Sequence, residues 1–331
     1  MKHVDVAIIG GGIVGLATAY RFLERHPGTR LIVFEKEREL ASHQSGRNSG
    51  VLHSGIYSKP GTLRAANCLE GKLAMEAFCE KEGIAFSRCG KVIVACELIG
   101  PERLKELEPH AAGVRAVHVP EAGIVDYRRV CERLARRITE AGGTVTTGAK
   151  VTAMFRRGDR MVVEAAAGEF EARLVVNCGG LHSDRLTRMS GRRPGGPNAV
   201  LAFCREGYNK TSFSFFDTVE SLTYPGFLRL ARKHWRAGIR EQWRSLYKRS
   251  FARTLQRLVP EVRDDDLVAA PAGVRAQALK RSGELVDDFL IVENDLVINV
   301  CNAPSPAATA ALNVGRLIVD RVAPQLRRSG D

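Results

Sequence analysis

Residues 4–15 read Val-Asp-Val-Ala-Ile-Ile-Gly-Gly-Gly-Ile-Val-Gly, a short apolar strand running straight into Gly10-x-Gly12-x-x-Gly15, and Glu35 closes the next apolar run. The order strand, glycine turn, helix, strand, acid is what binding an ADP moiety requires. The turn lets backbone approach a pyrophosphate, the helix N-terminus faces its charge, and the acid accepts from a ribose hydroxyl. A glycine triplet alone is weak evidence and could serve only chain reversal, but here the context fits a dinucleotide site. The pattern does not name the dinucleotide. A fold placed at the start of the chain suits FAD more than a nicotinamide cofactor.

The 331 residues allow two modest domains or one large one, and 44% hydrophobic content is ordinary for a buried core. No stretch approaches about eighteen uninterrupted apolar residues, and the first strand starts within a few residues of Met1. The expectation is a soluble, cytoplasmic chain with no transmembrane helix and no signal peptide. Cysteines 68, 79, 89, 96, 131, 178, 204 and 301 include no Cys-x-x-Cys pair and are scattered through apolar runs. They read as reduced, mostly buried thiols, and no metal is expected.

The net charge of +13 is unevenly spread. Between Arg229 and Arg257 ten Lys or Arg residues accompany a single acid, Glu241, interleaved with Trp235, Ile239, Trp243, Leu246, Tyr247, Phe251 and Leu255. Much of this falls on helical spacing. Such a segment, about 225–258, either lies on an anionic membrane interface or packs its aromatics onto the protein's own body beneath a solvated basic face. No recognition motif accompanies the charge, so nucleic acid is not expected as a partner.

Further along, residues 42–57 form a polar, glycine-rich loop long enough to suggest function. Helices are expected from about Leu63 to Glu82 and from Tyr127 to Ala141, with strands at 90–95, 144–147, 151–156, 160–165, 168–171 and 174–178. The last leads into Gly179-Gly180, a second close backbone approach. After a strand near Leu296–Val300, Ser305 and Pro306 read as the cap and first turn of an Ala-rich helix from about Ala307 to Val322. Its N-terminus would favour a reduced, anionic flavin; an ordinary capped surface helix is the alternative.

Several separated strings resemble the FAD-dependent L-2-hydroxyglutarate oxidase/dehydrogenase family, within the D-amino-acid-oxidase-like superfamily. They are His43-Gln-Ser-Gly-Arg-Asn-Ser-Gly-Val-Leu-His-Ser-Gly-Ile-Tyr57, Cys89-Gly-Lys-Val-Ile-Val-Ala95, Gly123-Ile-Val-Asp-Tyr127, Val176-Asn-Cys-Gly-Gly180, Ala272-Gly-Val-Arg-Ala-Gln277 and Asn302-Ala-Pro-Ser-Pro-Ala-Ala-Thr309. The resemblance runs nearly end to end. It implies oxidation of the C2 alcohol of L-2-hydroxyglutarate to 2-oxoglutarate, hydride passing to flavin N5 and electrons onward to a quinone or other acceptor. It also implies a peripheral position on the cytoplasmic face of an inner membrane, which suits the basic segment.

The fold so implied is α/β, a Rossmann-like FAD-binding domain with a discontinuous, shortened α+β substrate domain. Residues 1–85, 125–192 and 260–331 would form the first; 86–124 and 193–259 would form the second, including the basic cap. FAD would be held by Gly10, Gly12, Gly15, Glu35, Lys36, Arg47 and Ser49 from the first half of the chain. From the rest it would be held by Val151, Gly179, Gly180, Gly273, Ala303 and Ser305.

Loss of hydride from a secondary alcohol needs a base for the hydroxyl proton and cations for a dicarboxylate. His53 is the candidate base, since an imidazole titrates near neutrality, or else a structural histidine bonding loop backbone or an FAD phosphate. Arg275, with its planar fork in apolar surroundings, is the candidate catalytic-site carboxylate clamp, or else pairs internally with Glu284 or Asp287. Tyr57, Lys59 and Arg64 are further substrate-binding candidates.

The chain departs from the family by being short after Ala95 and between Pro194 and Gly196. Missing strands there would leave the pocket open and the Val92–Ala95 edge exposed. A catalytically impaired flavin-binding remnant therefore stands beside the leading reading, as does an amine or amino-acid oxidase of the same superfamily, against which the Gly273–Gln277 and Asn302–Thr309 strings argue.

Overall fold

The computed structural model describes residues 1–56, 61–113, 116–191, 204–208, 212–268, 273–274 and 278–328, of which the side chains of 63–64, 94–99, 237, 240–246 and 323–328 lie outside the description. Apolar β1 (Lys2–Ile9), helix α1 (Ile13–Arg25) and β2 (Leu31–Phe34) form the first βαβ unit. The loop beyond it carries the short β3 (Val51–Leu52), and α2 (Leu63–Glu82) follows, capped by the Thr62 side chain and ended by Gly83 at φ 65°. Next come β4 (Phe86–Ser87), β5 (Lys91–Ile99), α3 (Pro101–Leu107), β6 (Ala116–Val119) and β7 (Gly123–Val125). Asp126 caps α4 (Tyr127–Glu140).

Strands β8 (Thr144–Thr146), β9 (Val151–Arg157), β10 (Arg160–Ala165) and β11 (Gly168–Asn177) lead to α5 (Ser183–Met189). Three helices, α6 (Phe215–Leu222), α7 (Pro225–Leu246) and α8 (Lys248–Leu255), precede β12 (Leu290–Glu293), β13 (Val297–Asn302) and α9 (Ala311–Arg328).

The main sheet has the order β12-β13-β11-β1-β2-β8, parallel except for β12. Val6 of β1 lies opposite Leu31 on one side and Leu174 on the other. β1 is buried on both faces, so its alternate residues serve two cores. Val6 and Ile8 pack with Leu16, Phe22, Leu134 and Ile318 from the helical layer. Ala7 and Ile9 pack with Met154, Met161, Val163 and Phe170 from the β9–β10–β11 meander. Gly315 lets α9 close on α1: a Cβ there would stand 2.7 Å from the Ala17 carbonyl oxygen.

Four sequence expectations change. The separate strands at 168–171 and 174–178 are one strand, β11, whose first half pairs with β10 and whose second half pairs with β13. The basic segment is broken by the non-helical His234 and again between α7 and α8. Trp235, Ile239 and Phe251 are exposed, more open than a cap that buried them on the body would leave them. The Val92–Ala95 edge is covered on one side, because β5 pairs antiparallel with β6. Among the described residues no disulfide forms; Cys68, Cys79, Cys131 and Cys301 are buried and Cys89 is exposed.

Candidate cofactor and active site

A cavity of about 1410 Å³ opens along the C-terminal ends of β1, β2, β11 and β13, where an open parallel sheet places its ligands. Gly10, at φ +114°, turns the chain out of β1; a Cβ there would lie 2.4 Å from the Cys178 carbonyl oxygen. Gly12, the N-cap of α1, has no side chain of its own to cap the helix, and Gly12, Ile13 and Val14 line the cavity. Ser45 Oγ accepts the Ile13 N–H at 2.9 Å. The helix therefore points its partial positive charge into the cavity. Glu35 is buried at its rim, one oxygen accepting from Gly11 N at 2.7 Å and the other from Glu37 N at 2.9 Å. A carboxylate has about four lone-pair sites, so these bonds fix its position without exhausting it.

Opposite, a buried amide network holds the ends of β11 and β13. Asn177 Nδ2 donates to Asn299 Oδ1 and to the Ser183 carbonyl, each at 2.9 Å, while Asn177 Oδ1 accepts from Gly179 N at 3.0 Å. Asn302 bonds Ala278 N and the carbonyls of Val286 and Asp288. The chain then passes through 303–310 as turns, and α9 begins only at Ala311. The Ser305 cap and the helix start at Ala307 are thus corrected. Ala307 N bonds Pro304 O and Ala310 N bonds Pro306 O, while Thr309 is drawn sideways into bonds with Tyr127 and Val51. Tertiary hydroxyl bonds here outweigh local helix preference.

Those hydroxyl bonds also position His53. Thr309 Oγ1 accepts from His53 N at 3.2 Å and lies 2.9 Å from Tyr127 Oη, which donates to the Val51 carbonyl at 3.0 Å. Burial raises the Tyr127 phenol well above its usual range, so it remains a neutral donor.

At the β2 end an ionic cluster lines the cavity. Lys36 Nζ bonds Glu37 Oε1 at 2.7 Å and also pairs with Glu206. His43 Nε2 lies 3.0 Å from Glu37 Oε1, and His182 Nε2 lies 2.8 Å from Glu206 Oε1. Burial favours protonation of Glu206, but hydrogen bonds from His182 and Lys36 prevail and hold its carboxyl at about 2. Tyr208 Oη lies 2.5 Å from His43 Nδ1, and the Arg47 guanidinium sits 4.0 Å from the Tyr208 ring centre. Glu37, His43 and Glu206 converge closely enough to suggest a cation site, yet Lys36 already supplies a cation between the two carboxylates.

The structure brings His53, Gly10, Gly12, Glu35, Lys36, Arg47 and Ser49 to one cavity. Val151, Gly179, Gly180, Gly273, Ala303 and Ser305 line the remainder. Gly15 stands behind the turn; a Cβ there would meet the Gly10 carbonyl oxygen at 2.0 Å. Tyr57, Lys59, Arg275 and the Arg64 side chain lie outside the described residues. Sequence reasoning did not single out Tyr127, Thr309, Arg205, Glu206 or Tyr208. Its only signal for the last three was opposite charge at Arg205 and Glu206, which is silent about their distant partners.

A sheet of this order, with a glycine turn, a helix N-terminus and a buried acid around one cavity, defines a dinucleotide-dependent protein of the oxidoreductase kind. The chain belongs to the FAD dependent oxidoreductase family, whose model matches residues 5–321. It is 38% identical to L-2-hydroxyglutarate dehydrogenase of Indibacter alkaliphilus (strain CCUG 57479 / KCTC 22604 / LW1), covering 96% of this chain and 98% of that one. It is 36% identical to the enzyme of that name from Escherichia coli (strain K12), with 96% and 93% covered.

The first of these alignments runs over 390 positions, more than the 331 residues here, so gaps open within this chain. The fold is also that of L-alpha-glycerophosphate oxidase from Mycoplasma pneumoniae, with TM-score 0.73, 17% identity, and 99% and 95% covered. Glycine oxidase from Geobacillus kaustophilus gives TM-score 0.68 and 18% identity, with 98% of each chain covered. The glycine cradle and the open α1 terminus fit FAD, which this family uses. Among the described residues no helix is long and apolar enough to cross a membrane.

Proposed function

We propose that this protein oxidises L-2-hydroxyglutarate to 2-oxoglutarate. The observation that carries the reading is the nearly end-to-end similarity to dehydrogenases of that name. Gly10, Gly12 and the α1 amides would take the pyrophosphate of FAD, with Glu35 on a ribose hydroxyl and Gly179, Gly180 and residues 303–305 along the other end. When bound, FAD supplies the hydride acceptor for the C2 hydrogen.

The chain's own residues do the rest. His53 takes the hydroxyl proton as the C2 carbonyl forms, and its backbone is held by Thr309. Arg275 grips one carboxylate, and Tyr57, Lys59 or Arg64 orient the other. We assign residues 1–85, 125–192 and 260–331 to the cofactor domain and the remainder to a reduced substrate domain. The exposed apolar residues of α7 and α8, set among many basic ones, support docking on an anionic membrane on the cytoplasmic side, where a quinone would accept the electrons.

The test is anaerobic mixing of the purified yellow protein with L-2-hydroxyglutarate while following flavin absorbance near about 450 nm. Bleaching supports the proposal. The gaps in the alignment favour a second reading, a flavin-binding remnant. Persistent colour with the hydroxy acid would support it, and bleaching only by an amine would point to an amine oxidase.

A further inference from the structure

Among the described residues Arg205 is the largest fully buried side chain, 2% exposed, and no apolar packing argument requires a guanidinium there. Its Nη2 donates to Asp184 Oδ2 at 2.9 Å and to Glu220 Oε2 at 2.8 Å, and its backbone N–H donates to Asp217 Oδ2 at 3.0 Å. Asp184 is fully buried on α5, and Asp217 and Glu220 are on α6. A charge so deeply placed and so fully paired fixes the local backbone, because removing any partner strands another. Residue 205 is therefore rooted, and the next residue in the chain inherits that position.

That next residue is Glu206, and it joins two separate segments that line the cavity. Its Oε1 meets both Lys36, which follows β2, and His182, which precedes α5. Two residues later Tyr208 contacts His43 and Arg47 from the loop after β2. Lys36, His43, Arg47, His182 and Glu206 all line the cavity. The contacts thus join the segment after β2 to the segment before α5 at the end marked by Glu35, where this fold places the ribose of the cofactor.

We propose that residues 205–208 form an ionic clasp that closes the adenosine end of the cavity and slows release of FAD. The buried Arg205 is its root, Glu206 its bridge and Tyr208 its stacked tip. Release requires the Glu206 pairs to part, so the off-rate carries a dependence on ionic strength that comes from the clasp and not from the pyrophosphate site alone. This device concerns cofactor retention and does not depend on which substrate is oxidised.

The experiment uses the full-length holoprotein, freed of unbound flavin and held at low protein concentration. Flavin appearing in an ultrafiltrate is measured over time at about 50 mM and about 500 mM NaCl, a span over which charge screening changes strongly. Glu206→Gln keeps shape and removes charge; Tyr208→Phe removes only the hydroxyl. The clasp gives release about three- to tenfold faster for E206Q, with a salt response flatter than wild type, and a smaller acceleration for Y208F. Unchanged release in both variants overturns it, as does faster release with an undiminished salt response. Slower release in E206Q also overturns it, since Glu206 would then be repelling the cofactor's phosphates. Bleaching by L-2-hydroxyglutarate is scored separately on the retained flavin, so failure of the substrate reading leaves this result intact.

Discussion

Tyr127 and Thr309, 182 residues apart in sequence, meet through a 2.9 Å hydrogen bond between buried hydroxyls, and the same Thr309 oxygen accepts the backbone N–H of His53. The start of α4 is thereby tied to the turn before α9, with the loop carrying His53 between them. Tyr127→Phe is expected to lower stability by about 1–2 kcal/mol, and Thr309→Val by about 1–3 kcal/mol because it leaves more partners unsatisfied. The pair shares its partners, so the double variant should lose less than the sum. Urea unfolding of the three variants measures this, and strict additivity would show that the two hydroxyls act separately.

His53→Gln should retain FAD and lose about 10²–10⁴-fold in kcat/KM, the span of a missing general base. The yellow colour of the purified variant checks binding, and steady-state oxidation of L-2-hydroxyglutarate checks the rate. A variant that keeps its rate places the base elsewhere. One that purifies colourless makes His53 a cofactor ligand.

Gly10 and Gly28 both sit at positive φ, +114° and +83°, but only Gly10 is crowded. Nothing lies within 4 Å of a Cβ built on Gly28, whereas one on Gly10 meets the Cys178 carbonyl oxygen at 2.4 Å. Gly28→Ala is expected to cost about 1–2 kcal/mol from backbone strain alone. Gly10→Ala should cost more and abolish FAD binding. Thermal melting paired with flavin content distinguishes the two effects, and a yellow Gly10→Ala protein would contradict the cradle.

Burial pushes the Glu220 carboxyl upward, but the Arg188 hydrogen bond and the Arg205 charge outweigh it and hold the group at about 2, below its ordinary 4.5. A carboxyl lowered on folding contributes stability above the unfolded value and loses it as pH falls through the folded one. The contribution is therefore complete above about pH 4.5 and fades towards pH 2. Glu220→Gln should melt below wild type at neutral pH, and the gap should narrow as pH drops through that window. Melting curves from pH 7 to 2 decide it; a gap independent of pH would mean that Glu220 acts by shape alone.

The exposed Trp235 and Phe251 lead to a different measurement. Vesicles containing anionic lipid should carry the protein upward in a flotation gradient at low salt, less so at high salt, and neutral vesicles should carry little. Replacing Trp235 and Phe251 together by alanine should reduce flotation further. Failure to float on anionic vesicles at any salt removes the membrane from the proposal.

Periodicity carried much of the architecture. The apolar run 4–9, the glycine turn and Glu35 gave the first βαβ unit, and helices α2 and α4 followed from Ala, Leu and cap residues at helical spacing. Local signals of that kind are written within a dozen residues. The helix start near Ser305 was misread because capping preference is local, whereas the bonds that hold Thr309 in a turn come from Tyr127 and Val51. β11 was split in two because nothing in its own residues marks where β10 gives way to β13. Arg205 and Glu206 were illegible for the same reason: their meaning lies in Asp184, Glu220, Lys36 and His182, brought near only by the completed fold.

The cavity takes its walls from both Gly10 and Thr309, and its sheet is incomplete until β13 pairs with β11. During translation the glycine turn emerges first, yet it has nothing to close against while the ribosome is still reading the codons for the far wall. Flavin capture thus waits until both walls have been made, and a shortage of FAD in the cell would be felt by chains that have folded that far and await their cofactor.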